Sequence, residues 1–200
     1  MTPFTTLTAV AAPMPTANVD TDQIIPARYL PKPRPELKNG MFHDLRFNSD
    51  GSPKPDFVLN KPAYGNAQIL VAERNFACGS SREHAVICML DNGFRAFIAP
   101  SFGDIFFNNC FQNGCLPIVL PEARVNQLLR FLLELPGAEI AIDLAAQTVR
   151  GPDGQVDTFA VEPFRKECLL KGLDDIALTL QYEKDIAAFE TQQKTETPWL

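Results

Sequence analysis

The run Asn75-Phe76-Ala77-Cys78-Gly79-Ser80-Ser81-Arg82-Glu83-His84-Ala85 gathers two hydroxyls and a guanidinium within three residues. It follows an apolar stretch, Gln68–Ala72, and precedes Val86–Gly93, whose apolar spacing and closing glycine predict a helix over 81–92. A strand, a small-residue turn and a helix start aim backbone N–H groups outward, which suits an anion. Arg82 adds a planar fork that can grip a carboxylate through two parallel bonds. Ser80 and Glu83 have the Ser-x-x-Glu spacing of a capping box, so Ser80 is the expected N-cap. A serine there can simply cap the helix, worth about 0.5–2 kcal/mol, or it can serve as a proton-transfer group stabilised by the helix dipole. Spacing alone leaves both readings open.

Other chemistries are excluded by what surrounds the serines. A nucleophile elbow needs Gly-x-Ser-x-Gly, and the second position after Ser80 is Arg82. Neither a Gly-x-Gly-x-x-Gly fingerprint nor a Walker A loop occurs in the sequence. The five cysteines, Cys78, Cys88, Cys110, Cys115 and Cys168, include no Cys-x-x-Cys and match no ferredoxin spacing. They read as free buried thiols in a reducing compartment, and no metal ligand is assigned in this chain. His43 and His84 are too few for a zinc centre.

Positioning these groups calls for an alternating α/β chain. The pattern predicts strands at 4–10, 68–72, 95–99, 116–120, 139–144 and 155–161. Helices are predicted at 103–112, 122–135, 163–171 and 173–191, with Val125, Leu128, Leu129, Leu132 and Leu133 on one side of the 122–135 helix. The turn Gly151-Pro152-Asp153-Gly154 reads as a hairpin between the last two strands. Residues 31–62, rich in Pro, Asp, Asn and Gly, predict a long irregular excursion that could cover a substrate or dock a partner. Lys194–Leu200 reads as a mobile tail. The 200 residues fit a single domain with a C-terminal helical extension near 163–191.

Several motifs together carry a resemblance. Gly79-Ser80-Ser81-Arg82-Glu83-His84-Ala85 resembles the signature of the swivel domain of the aconitase superfamily. Asn18-Val19-Asp20-Thr21-Asp22-Gln23-Ile24-Ile25-Pro26 is similar to its N-terminal motif. Pro55–Asn60 and Ala99–Phe106 match, in order, the bacterial small-subunit family of 3-isopropylmalate dehydratase, and the likeness spans about residues 4 to 190. The fold this implies is an α/β swivel domain, layered β/β/α on a partly closed β-barrel.

The activity it implies is that of a hydro-lyase of leucine biosynthesis, interconverting 2-isopropylmalate and 3-isopropylmalate through the unsaturated diacid. In such enzymes a [4Fe–4S] cluster belongs to a separate large subunit, where its open iron takes the leaving hydroxyl. By the same resemblance Ser80 matches the serine base and Arg82 the arginine that binds a substrate carboxylate. Asp22 matches an active-site aspartate, and Arg34 falls where a substrate-binding arginine is expected. Ser81 is expected among the substrate-binding residues, its hydroxyl tuning the site or hydrogen-bonding locally. Arg28 and Lys32 share the loop Ala27–Pro35 with Arg34, as substrate contacts or as solvated charges on a Pro-stiffened loop. Pro31 stands where archaeal relatives resemble Tyr-Leu-Arg-Thr, and losing that arginine favours an alkyl group over a third carboxylate. Small subunits acting on methylmalate/citraconate or homoaconitate are the near alternative, and a non-catalytic binding module the distant one.

The global balance agrees. A formal charge of −6 argues against nucleic acid as a partner. The N-terminus carries no Lys or Arg before Arg28, and no apolar run of about 18 residues occurs, so neither a secretory signal nor a membrane span is expected. The expected location is the cytoplasm, and the expected partners are a large subunit and a small dicarboxylate.

Overall fold

A computed structural model describes residues 1–80, 82–197 and 199. Seven strands form one sheet: β1 (Thr6–Met14), β2 (Ile69–Ala72), β3 (Ala96–Ala99), β4 (Leu116–Val119), β5 (Glu139–Asp143), β6 (Thr148–Arg150) and β7 (Val156–Thr158). Their order is β4-β3-β2-β1-β5-β6-β7, and the sheet curls into a half-barrel. β1 to β4 are mutually parallel, whereas β1 pairs with β5 antiparallel, as do β5 with β6 and β6 with β7. This is the α/β swivel architecture expected from the motifs.

The helices, in chain order, begin with three single turns: α1 (Thr21–Ile24), α2 (Arg34–Leu37) and α3 (His43–Arg46). They continue with α4 (Glu83–Asp91), α5 (Asp104–Gln112), α6 (Glu122–Glu134), α7 (Pro163–Lys171), α8 (Asp175–Leu180) and α9 (Glu183–Glu196). β2, β3 and the first three residues of β4 are wholly buried, as four-residue apolar strands covered on both faces must be. Leu70, Ala72, Phe97 and Ala99 join one core with Val86 and Met89 of α4 and Phe106 and Cys110 of α5. Ile69, Val71, Ala96 and Ile98 face the other core, where α6 presents Val125, Leu128, Leu129 and Leu132. That i, i+3, i+4, i+7 stripe is the apolar face of a surface helix. Leu133 lies outside it and is exposed.

Four differences from the sequence expectations have local causes. The first strand is shifted, running to Met14, because its second half pairs with β2. An additional strand, β6, precedes the Gly151 turn, so the hairpin partners are β6 and β7, and β5 turns into β6 through Leu144–Gln147. The 173–191 helix is two helices, and α9 carries helix through Glu196, into the segment read as a tail. Finally, the 31–62 excursion consists of short turns packed on the α4 side of the sheet. Leu37, Met41 and Phe42 are buried there, and Phe42 N–H donates to the Ile24 carbonyl at 2.7 Å. Asn60 ties the second half together by donating to the carbonyls of Arg46 and Lys54.

Candidate active site

Because β1, β2 and β3 are parallel, the loops that leave their C-terminal ends meet at one edge of the sheet, where open α/β folds bind ligands. The loops after β1 and β2 are stitched to each other. Asn18 N–H donates to the Arg74 carbonyl, Cys78 N–H to Val19, and Thr21 N–H to Cys78. The Asn75 side-chain amide donates to Asn18 Oδ1 at 2.9 Å. The loop after β3 joins the same edge, with Asn75 N–H donating to Ser101 Oγ and Gly103 N–H to the Phe76 carbonyl.

The backbone here is bent hard. Asn18, Asn75 and Ala77 have φ of 57°, 56° and 57°, and Gly79 has 89°. Asparagine tolerates the left-handed region, and glycine adopts it freely, but alanine pays roughly 1–2 kcal/mol. Such strain persists only where surrounding bonds over-determine it. Gly103 is packed so tightly beneath the loop that an added Cβ would come within 2.4 Å of the Ala77 carbonyl oxygen.

This frame carries Ser80, Arg82 and Asp22 together. Arg82 Nη1 donates to Asp22 Oδ1 at 2.5 Å and to the Ile25 carbonyl at 3.2 Å. The Arg82 side chain is 15% exposed and that of Asp22 57%, so the guanidinium is set down in the surface while the carboxylate rim stays open. Ser80 is exposed. Ser81 lies outside the described residues.

The Ser80–Glu83 capping box is absent. Helix α4 starts at Glu83 with Arg82 as its N-cap and no side-chain cap, and Glu83 Oε1 instead accepts from Asn113 Nδ2 at 3.0 Å. Arg82 is extended, φ −142°, because its side chain is drawn back to Asp22, and this moves the helix start two residues beyond the expected cap. The bland reading of Ser80 as an N-cap therefore fails in this structure. A capping box does exist next door. Asp20 Oδ1 accepts from Gln23 N–H, and Gln23 Oε1 accepts from Asp20 N–H, fixing the turn α1 that presents Asp22.

The loop cations stand elsewhere. Arg28 donates to the Asp44 carboxylate, Nη1 to Oδ2 at 2.9 Å, and that bond holds the Asp44 carboxyl down at about 2. Lys32 Nζ sits 4.6 Å from the Tyr29 ring centroid, with the Arg28 guanidinium at 5.3 Å. Arg34 makes a two-pronged pair with Asp91, Nε to Oδ2 at 2.9 Å and Nη2 to Oδ1 at 2.8 Å. Asp91 ends α4, about 12 Å along the helix from Glu83 at 1.5 Å per residue. The structure thus pairs Asp22 with Arg82 in the loop that carries Ser80, while Arg28 is held by Asp44, Lys32 lies against Tyr29 and Arg34 is held by Asp91.

Among the described residues the donor groups do not gather to hold an iron–sulfur cluster. Cys88, Cys110, Cys115 and Cys168 are buried; burial pushes the Cys88 and Cys115 thiols up to about 12 and Cys110 well above the ordinary value. Among the described residues no three His, Cys, Asp or Glu side chains are grouped to hold a metal ion. Cys78 is half-buried near the site, its Sγ 3.6 Å from the Asn18 carbonyl oxygen. Nor is any described helix long and apolar enough to cross a membrane.

Sequence reasoning missed Thr21, Asn18, Asn75 and Gly103 as parts of the frame. The Asp-x-x-Gln spacing from Asp20 to Gln23 was the available signal for the α1 cap. The bonds between Asn18, Asn75 and Ser101 span distant segments and leave no local pattern.

Fold and site together define an aconitase-type swivel domain, and a family model described as the aconitase C-terminal domain matches residues 1–123. A second, for the C-terminal domain of the 3-isopropylmalate dehydratase small subunit, matches 175–200. The chain is 57% identical over 201 residues to the 3-isopropylmalate dehydratase small subunit of Paramagnetospirillum magneticum, covering 100% of both chains. It is 55% identical to that of Parvibaculum lavamentivorans, again over 100% of each. A crystal structure titled 3-isopropylmalate dehydratase from Methanocaldococcus jannaschii superposes with a TM-score of 0.66 at 26% identity, covering 92% of this chain and 99% of that one. The chain belongs to the family of 3-isopropylmalate dehydratase small subunits.

Proposed function

We propose that this chain is the small subunit of a hydro-lyase that interconverts 2-isopropylmalate and 3-isopropylmalate in leucine biosynthesis, with Ser80 as the base and Arg82 as the carboxylate anchor. The observation that supports the reading is the Arg82–Asp22 pair in the strained loop that also carries Ser80, with α4 capped at Arg82 rather than at Ser80. Arg82 holds the carboxylate beside the acidic C–H, and its fixed charge stabilises the electron density that builds there as Ser80 Oγ takes the proton. Hydroxide leaves the neighbouring carbon and the unsaturated diacid forms; in the return step hydroxide adds to the carbon that lost its proton while Ser80 delivers its proton to the other carbon and is restored as the alkoxide. Asp22 orients the Arg82 fork.

Ser80 is open to solvent in this chain, and a serine alkoxide cannot persist in water near neutral pH. That exposure supports a half-site closed by a large subunit, to which we assign the [4Fe–4S] cluster that activates the leaving hydroxyl. Ser81 is the proposed neighbour of the base. Arg28, Lys32 and Arg34 contribute to substrate binding only where assembly opens their present contacts. The cytoplasm is the proposed location. The test is reconstitution. This chain alone should be inactive and free of cluster absorbance, and activity should appear on anaerobic mixing with a cluster-loaded large subunit, with 3-isopropylmalate turned over in preference to citraconate or homoaconitate. Stoichiometric iron and cluster absorbance in the isolated chain, or equal turnover of citraconate, would overturn it.

A further inference from the structure

Thr21 and Arg124 are the two polar side chains buried among the described residues, at 3% and 6% exposure. Arg124 is accounted for by its ion pairs to Asp153 and Asp157, which clamp α6 to the β6–β7 hairpin. Thr21 makes no ion pair and is tied instead to the loop that carries Ser80. Its backbone N–H donates to the Cys78 carbonyl at 3.0 Å and its hydroxyl to the Ser80 carbonyl at 2.9 Å. Both carbonyls turn toward one residue because Gly79 between them is left-handed, φ 89°. The next residue, Asp22, holds Arg82. Two consecutive residues therefore grip positions 78, 80 and 82 of the facing loop.

We propose that Thr21 is a positioning residue for the reaction: its hydroxyl fixes the Ser80 peptide and so sets the direction in which Ser80 Oγ meets the substrate. A serine side chain turns about one χ angle, so its reach is decided by the orientation of its own Cα–Cβ bond. Anchoring the carbonyl fixes that bond. Removing the donor leaves a carbonyl oxygen beside a buried residue without its partner, and the peptide relieves this by rotating. The inference rests on Ser80 being the base.

The test uses the assembled enzyme with Thr21→Val, Thr21→Ser, Ser80→Ala and the double variant Thr21→Val/Ser80→Ala. Valine keeps the shape and removes the hydroxyl. A displacement of about 1 Å at the base costs on the order of 10–100-fold in kcat, with KM held within about threefold. Thr21→Ser retains the donor and should restore kcat to within about threefold of wild type. In the Ser80→Ala background Thr21→Val should remove nothing further, since it acts through Ser80. Three results overturn the proposal: wild-type kcat in Thr21→Val while Ser80→Ala is impaired, an equal fractional loss in both backgrounds, or a Thr21→Ser enzyme as slow as Ser80→Ala. If Thr21→Val fails to fold, a folded Thr21→Ser enzyme as slow as Ser80→Ala still overturns the proposal. Near-normal turnover in Ser80→Ala instead removes the base assignment, an outcome separate from any Thr21 effect.

Discussion

Gly103→Ala offers a clean steric probe of the loop that carries Ser80. The glycine has φ −63° and ψ 133°, which any residue adopts, so alanine brings no backbone strain. Its Cβ, however, would lie 2.4 Å from the Ala77 carbonyl oxygen and 3.1 Å from Cys78 Cα, against the 3.4 Å of ordinary contact. The 75–79 loop must retreat by about 1 Å, and it cannot do so freely because Gly103 N–H, Ser101 Oγ and the Val19 carbonyl all hold it. Overpacking of this kind costs about 1–3 kcal/mol. Moving the base by about 1 Å costs on the order of 10²-fold in turnover. The assays are urea unfolding of the chain and steady-state kinetics of the reconstituted enzyme. Gly93→Ala is the control: at φ 98° with nothing within 4 Å it strains the backbone at the far end of α4 without touching the site. It should lose about 1 kcal/mol of stability and keep kcat. A Gly103→Ala enzyme with wild-type turnover, or one no slower than Gly93→Ala, would refute the claim that the 75–79 loop sets the base.

Two further outcomes follow from the ion pairs. Arg124→Met leaves the half-buried Asp153 and Asp157 without their cation, and should cost about 1–3 kcal/mol at pH 7. Arg124 holds the Asp153 carboxyl below its ordinary value, so this contribution is present above about pH 4 and is lost as pH falls through the depressed value; an unchanged urea midpoint at pH 7 would contradict it. At the surface, Asp44 should titrate at about 2 through its bond to Arg28, and Arg28→Ala should return it toward about 4, followed by carboxyl NMR. Both partners are more than half exposed, so the stability involved is at most about 1 kcal/mol, present above about pH 4 and lost through about pH 2. A wild-type Asp44 that titrates near 4 would break the assignment.

Much of the fold was legible because its elements are punctuated locally. Helix α6 shows its stripe from Val125 to Leu132, and β2 and β3 are apolar runs closed by polar residues. Strand β6 was missed because Thr148–Arg150 is three residues long, too short for a period to show. Its place comes from pairing with β5 and β7. The 31–62 segment reads as loop because its prolines break any repeat, yet Leu37 and Phe42 anchor it to a core that only the folded chain provides. At the site, residue types pointed to Ser80 and Arg82, and the motif resemblance pointed to Asp22. The position of the helix start did not follow from them, since the pull of Asp22 on Arg82 acts across 60 residues and defeats the local capping signal. Arg34 is likewise decided by a distant partner, Asp91.

The central claim is that Ser80 removes the substrate proton, and exchange of the acidic C–H of 3-isopropylmalate with deuterated solvent measures that step directly. In the reconstituted enzyme carrying Ser80→Ala, with assembly first confirmed by co-elution with the large subunit, exchange should vanish and kcat should fall by roughly 10²–10⁴-fold or more at little-changed KM. Exchange and turnover near wild type in that assembled variant would contradict the account.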